Sequence, residues 1–225
     1  MRPKNEKKTM KSTDKNIIMI TAGGVGARFG SNVPKQYVEI DGRQVISYVI
    51  EACKKSREAD AIIVVAHPTY HKELMEAYGV EVVSSGEELN VTKRNGIDYI
   101  KEHCNCEKLL VADTVRPTIS TEVIDRFFNR LDEYDAVACA QKITDSLGRK
   151  GEWVVNREEY YTLSAPEGFR FPLIEKHFKA DSPLTESIQQ LPPTSKVYLD
   201  FDVPYFDKLT YPDDMVRIKH MLSIR

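Results

Sequence analysis

Residues 21–36 read TAGGVGARFGSNVPKQ. The run NIIMI at residues 16–20 leads straight into them. Four consecutive apolar residues between a polar residue and a glycine run have the pattern of a short strand buried in a parallel sheet. Glycines after such a strand let backbone N–H groups turn toward an anion, because no Cβ blocks the approach. Arg28 and Lys35 add fixed positive charge to the loop. An arginine can grip two oxygens at once, and a lysine acts as a point charge. The stretch therefore reads as a nucleotide-phosphate loop.

Two named loops fit it poorly. Gly24, Gly26 and Gly30 give G-x-G-x-x-x-G, one residue longer than the dinucleotide fingerprint. No acidic residue ends the next strand, AIIVVA at residues 61–66, to hold a ribose. A kinase-type P-loop would end in Gly-Lys-Ser or Gly-Lys-Thr, whereas this one ends Pro34-Lys35-Gln36.

Outward from the loop, strands and helices alternate. Helical spacing covers residues 45–55, 69–78 (closed by Gly79), 91–103 and 120–131, the last capped by Ser120 or Thr121. Short strands are expected at 61–66, 80–83, 109–111 (running into Asp113) and 136–141. This order predicts an α/β fold, a mostly parallel sheet with helices on both faces. Residues 142–165 interrupt it. A glycine turn between β-favouring pieces predicts a hairpin arm projecting from the sheet. Trp153, Tyr160 and Tyr161 on that arm would suit a dimer interface or packing on its own domain. A strand at 197–203 and a closing helix at 212–224 complete the chain.

The chain has 225 residues, 41% hydrophobic and 29% charged, with a net charge of −2. This is ordinary for a soluble enzyme and gives no footprint for nucleic acid or an anionic membrane surface. No apolar run reaches the roughly 18 residues of a membrane span. Residues 1–15 are basic and polar without an apolar core segment, so they read as a disordered tail ahead of one domain at 16–225. Cys53, Cys104, Cys106 and Cys139 show no zinc spacing. Free thiols in a reducing, cytoplasmic compartment are expected.

The motif A-G-G-x-G-x-R-x-G-x-x-x-P-K-Q resembles the signature of the sugar-alcohol-phosphate cytidylyltransferases. That family includes the 2-C-methyl-D-erythritol 4-phosphate and ribitol 5-phosphate enzymes. The likeness continues in order through Gly86-Glu87-Glu88, Gly96, Asp113-Thr114-Val115-Arg116-Pro117, Thr144-Asp145-Ser146 and Ser164-Ala165-Pro166-Glu167-Gly168-Phe169. It ends at Lys208-Leu209-Thr210-Tyr211-Pro212-Asp213-Asp214. The resemblance implies a Rossmann-like α/β nucleotidyltransferase fold, a nucleotidyltransferase domain over residues 16–225, and transfer of CMP from CTP to a polyol phosphate, with Mg2+ as cofactor and a homodimer joined through the arms. It implies catalytic roles for Arg28, Lys35 and Lys208, and a nucleotide pocket at Ala22, Gly23, Gly24, Gly26, Gly86 and Thr92. It also implies acceptor contacts at Arg157 (from a neighbouring subunit), Thr185 and Asp113. Asp113, at the end of a buried strand, is the expected metal ligand. Arg116 would either lock the loop or touch substrate.

Several family residues are replaced. Leu89 stands where an arginine is expected, Ala112 where a histidine is, and Ala165-Pro166-Glu167 replaces Thr-Pro-Gln. Thr185-Glu186-Ser187 replaces Thr-Asp-Glu. The phosphate machinery is kept and the acceptor side has drifted. The run from Arg157 to Tyr161 resembles the ribitol-phosphate branch, which implies ribitol 5-phosphate as acceptor and a role in surface polysaccharide synthesis. Three alternatives stay open: methylerythritol phosphate as acceptor in isoprenoid synthesis, another phosphate acceptor, or a nucleotide-binding relative without turnover.

Overall fold

The apolar run at residues 17–20 becomes the centre of the sheet because both of its faces are covered. The computed structural model describes residues 11, 13–24, 29–151, 153–204 and 206–224. The larger part of the 1–15 tail lies outside them, as do Gly26 and Arg28.

In chain order the strands are β1 (Asn16–Ala22), β2 (Glu39–Ile40), β3 (Arg43–Gln44), β4 (Ala61–Ala66) and β5 (Glu81–Ser84). They continue with β6 (Lys108–Asp113), β7 (Ala136–Lys142), β8 (Tyr161–Arg170) and β9 (Val197–Asp200). The helices are α1 (Val45–Lys55), α2 (His71–Tyr78), α3 (Leu89–His103), α4 (Thr121–Arg130), α5 (Phe171–His177) and α6 (Asp214–Ser223). One seven-stranded sheet has the order β5-β4-β1-β6-β8-β7-β9. β1 pairs in parallel with β4 and β6, β4 with β5, and β7 with β9; β8 is antiparallel to both β6 and β7. The sheet is mostly parallel, as expected.

Side chains on β1 alternate between two cores, as the strand period requires. Ile18 and Ile20 pack with Ile46, Ile50, Phe127 and Phe128 of α1 and α4. Ile17 and Met19 pack with Ile97 and Ile100 of α3 and with Phe171 and Ile174 of α5. Burying every residue of β4 requires the same double cover. Among the described residues, no helix is long and apolar enough to cross a membrane.

The expected elements appear with small shifts at their ends. Gly79 closes α2 with φ 56°, and the Ser120 hydroxyl accepts a hydrogen bond from Val123 N–H at 3.4 Å to cap α4. Three features were not anticipated. The β2–β3 hairpin turns on Asp41-Gly42, both at positive φ, a turn that favours this dipeptide. α5 is too short for its periodicity to stand out. β8 runs on to Arg170 through Pro166, a residue that argues against a strand interior. It is accommodated because the β7–β8 register skips at Ala138/Cys139, so Pro166 sits at the irregularity. The expected arm differs as well. β7 and β8 are antiparallel and end at the pair Lys142–Tyr161. Among the described residues between them, 143–151 and 153–160, there is a bridge at Arg149 and a short 3-10 turn, Arg157–Glu159, but no continued ladder.

Candidate active site

The order of the sheet sets the site. From β1 the chain builds outward to β4 and β5, then returns to the opposite side of β1 for β6. Ligands of open α/β sheets bind at such a reversal, outside the carboxyl ends of the strands. Here the facing residues at that end are Thr21 of β1 and Asp113 of β6. A cleft of about 350 Å³ opens above them. Lys35, Asp113 and Lys208 all line it, together with Gly23, Gly24 and Thr92.

Gln36 fixes the first turn of the glycine loop. Its buried side-chain amide donates to the carbonyls of Ala22 at 2.8 Å and Gly24 at 2.7 Å. Those carbonyls thus have a fixed partner, and Gln36 itself lines the cleft. Gly23 is required by space, since a Cβ there would lie 2.5 Å from Ser85 Cβ and 2.8 Å from the Thr92 hydroxyl. That hydroxyl accepts from Gly86 N–H at 3.1 Å and lies 3.2 Å from Gly86 O. Gly23, Gly24 and Thr92 line the cleft, while Ala22 and Gly86, expected to share the nucleotide pocket, stand behind them and do not line it.

The catalytic side is built from distant segments. Lys35 opens a 3-10 turn, Lys35–Tyr37, and its Nζ donates to the Leu209 carbonyl at 2.8 Å. Leu209 N–H in turn donates to Val115 O at 2.8 Å. This pins residues 208–210 beside the end of β6. Lys208 Nζ consequently lies 4.0 Å from Asp113 Oδ2. The Thr21 hydroxyl donates to Asp113 Oδ1 at 3.2 Å, and Arg116 Nε lies 3.9 Å from Oδ2. Arg116 is buried and donates to the Phe206 carbonyl. It does not line the cleft, and its contacts to Phe206 and Asp113 support the loop-locking one of its two expected roles.

Two expected acceptor residues lie elsewhere in this chain. Arg157 sits on the arm, donates to Thr144 O and pairs with Glu158 at 3.4 Å. Thr185 is exposed, and its carbonyl accepts from Lys93 Nζ at 2.8 Å. Neither lines the cleft. Leu89, at the expected arginine position, does line it. Ala112 is buried within β6.

Sequence reasoning missed several wall residues, among them Thr21, Phe29, Gln36, Thr114 and Thr210. Gln36 lay inside the quoted motif, so its role could have been inferred from the need to satisfy the loop carbonyls. It also missed Glu186, whose carboxyl is pushed up to about 7 by burial first, then by Glu167 and Asp113, against the lowering pull of Lys93 and Lys208.

The chain as a whole has counterparts among known proteins. A family model described as "IspD: 2-C-methyl-D-erythritol 4-phosphate cytidylyltransferase" matches residues 16–189. The chain belongs to this family. It is an enzyme of the nucleotidyltransferase class, a CTP-using cytidylyltransferase. Among curated relatives, it is 24% identical over 226 residues to a 2-C-methyl-D-erythritol 4-phosphate cytidylyltransferase of Clostridium botulinum, covering 93% of this chain and 98% of that one. It is 27% identical over 178 residues to the bifunctional ribulose 5-phosphate reductase/CDP-ribitol pyrophosphorylase Bcs1 of Haemophilus influenzae. That match covers 73% of this chain but 38% of the longer relative. Among solved structures, 4-diphosphocytidyl-2C-methyl-D-erythritol synthase of Anaerococcus prevotii superposes with a TM-score of 0.79. At 22% identity over 93% of this chain and 96% of that one, the likeness shows the fold.

Proposed function

We propose that this family member transfers CMP from CTP to the phosphate of a small polyol, with ribitol 5-phosphate as acceptor. One observation carries the chemistry: Lys35, Lys208 and Asp113 meet at one cleft, beside a wall of small residues. An oxygen of the acceptor phosphate attacks the α-phosphorus of CTP. A new P–O bond forms, the bond from the α-phosphorus to the bridging oxygen breaks, and pyrophosphate leaves. The acceptor phosphate is already an anion near neutral pH, so the work is positioning and charge neutralisation. Lys35 and Lys208 would hold the repelling anions together. Arg28 is proposed to grip the triphosphate alongside Lys35.

Asp113 fits a Mg2+ site. One of its oxygens is anchored by Thr21 and the carboxylate lines the cleft. One carboxylate plus substrate phosphates is a donor set that Mg2+ takes. Among the described residues no cluster of three or more His, Cys, Asp or Glu could hold a metal, so Asp113 would be the protein's ligand and the substrate would supply the rest. When bound, the ion would neutralise charge on the phosphates.

A second copy of the chain is the proposed partner of the arm. Trp153 and Val154 there are 99% and 89% exposed, an apolar tip that a dimer would cover. Arg157 would then reach the partner's acceptor site. The four cysteines are free, which suits a cytosolic setting.

The ribitol assignment is supported by the match to a protein named for CDP-ribitol synthesis and by the run from Arg157 to Tyr161. Methylerythritol phosphate is the second reading, favoured by the full-length match to the clostridial enzyme. Incubating the protein with CTP, Mg2+ and ribitol, erythritol, methylerythritol or glycerol phosphate separates them. Pyrophosphate and a CDP-ribitol mass should appear with the first. Turnover of methylerythritol phosphate alone would replace that assignment, and silence with all four would remove the activity.

A further inference from the structure

Beside the cleft lies a buried ion pair that the chemistry above does not use. Lys93 of α3 and Glu167 of β8 have side chains 3% and 2% exposed, with Nζ 3.7 Å from Oε2. Their hydrogen bonds go to a third element. Lys93 Nζ donates to Thr185 O at 2.8 Å and to the Ser187 hydroxyl at 2.9 Å. Glu167 accepts from Ser187 N–H at 3.0 Å and from Ile188 N–H at 2.9 Å. The lysine thus takes the carbonyl entering the turn, and the carboxylate takes the amides leaving it.

A buried pair is a weak source of net stability, and well-packed apolar replacements are often neutral or better. A fully bonded network instead fixes one geometry. Three neighbours on α3 show what this geometry connects. Asn90 donates to the carbonyls of Ser182 and Leu184, both at 2.9 Å. Thr92 holds Gly86 behind the nucleotide wall. Lys93, the next residue, holds Thr185. One helical turn therefore ties the glycine wall to the 182–188 segment. Within that segment Glu186 is half-buried, and besides burial and Glu167 its carboxyl feels the charges of Asp113, Lys93 and Lys208.

We propose that Lys93 and Glu167 act as a positioning pair that holds the 185–188 turn against the acceptor side of the cleft. The words "acceptor side" rest on the proposed function; the holding of the turn does not.

The test compares full-length Glu167→Gln with the double variant Lys93→Met/Glu167→Gln. The single variant leaves a buried lysine uncompensated and should lower Tm. The double variant should recover much of that loss. Both should exchange the Ser187 and Ile188 amides with solvent at least tenfold faster than wild type, with no substrate present. Both should raise KM about tenfold for whichever of ribitol 5-phosphate and methylerythritol phosphate the wild type uses, with KM for CTP unchanged. Wild-type exchange at both amides in the double variant would overturn the proposal. So would an unchanged acceptor KM, or equal losses for CTP and acceptor. If wild type turns over neither acceptor, the proposed function fails, and the exchange measurement alone decides the role of the pair.

Discussion

Lys35 and Lys208 reach the same cleft from opposite ends of the chain, and the backbone links them. Lys35 bonds the carbonyl of Leu209, the residue after Lys208, so each lysine helps place the other. Replacing either by Ala should reduce kcat/KM on the order of a hundredfold or more, through loss of charge stabilisation. Steady-state pyrophosphate release measures this, and normal turnover in one variant would remove that residue from the mechanism. Lys35→Ala also breaks the bond to Leu209, so its effect should include a weaker hold on the 208–210 segment. Lys35 was legible from the glycine loop it closes, whereas Lys208 was named only through the family resemblance, since no strand runs into it: β9 ends at Asp200. Lys93 and Glu167 were not legible. A lysine inside a helix reads as a solvated side chain, and nothing local reveals a burial imposed by a segment about ninety residues away. Arg116 showed its guanidinium but not its partner, which only the fold supplies.

At the scale of elements, α6 shows how a helix start serves the site. Its first residue, Asp214, accepts from Thr210 N–H and Tyr211 N–H, both at 2.8 Å, and from Arg217 at 2.9 Å. Burial pushes its carboxyl up, but the two amides and Arg217 outweigh this and hold it below the usual range. Its stabilising effect is therefore present above the unfolded value of 3.8 and is lost as pH falls through the lower folded value. Asp214→Ala should cost about 1–2 kcal/mol at neutral pH, as for the loss of a helix cap. Urea denaturation at pH 7 and pH 3 checks this, with the difference from wild type shrinking at the lower pH. Because Thr210 lines the cleft, a modest fall in kcat should accompany it. Helices and parallel strands were readable from their periodicity. β8 was not, because its proline is tolerated through a skipped register, which is a property of two strands together.

For the whole molecule, the folded state carries a carboxyl with the opposite sign. Glu186 is raised to about 7, from an ordinary 4.5, by burial and by Glu167 and Asp113, with Lys93 and Lys208 pulling the other way. The folded protein binds the extra proton, so this contribution is complete below pH 4.5 and is lost as pH rises through about 7. Glu186→Gln should therefore gain stability relative to wild type between pH 5 and pH 8. Urea midpoints at the two values test it, and a constant difference would show that Glu186 does not titrate in this window. β8 alone runs against its neighbours in the sheet. The chain therefore departs from β7 and re-enters at β8 on the same side where Thr21 and Asp113 stop. Residues 143–160 thus hang from the rim of the sheet that carries the cleft, so their length can vary while the strands beneath keep their pairing.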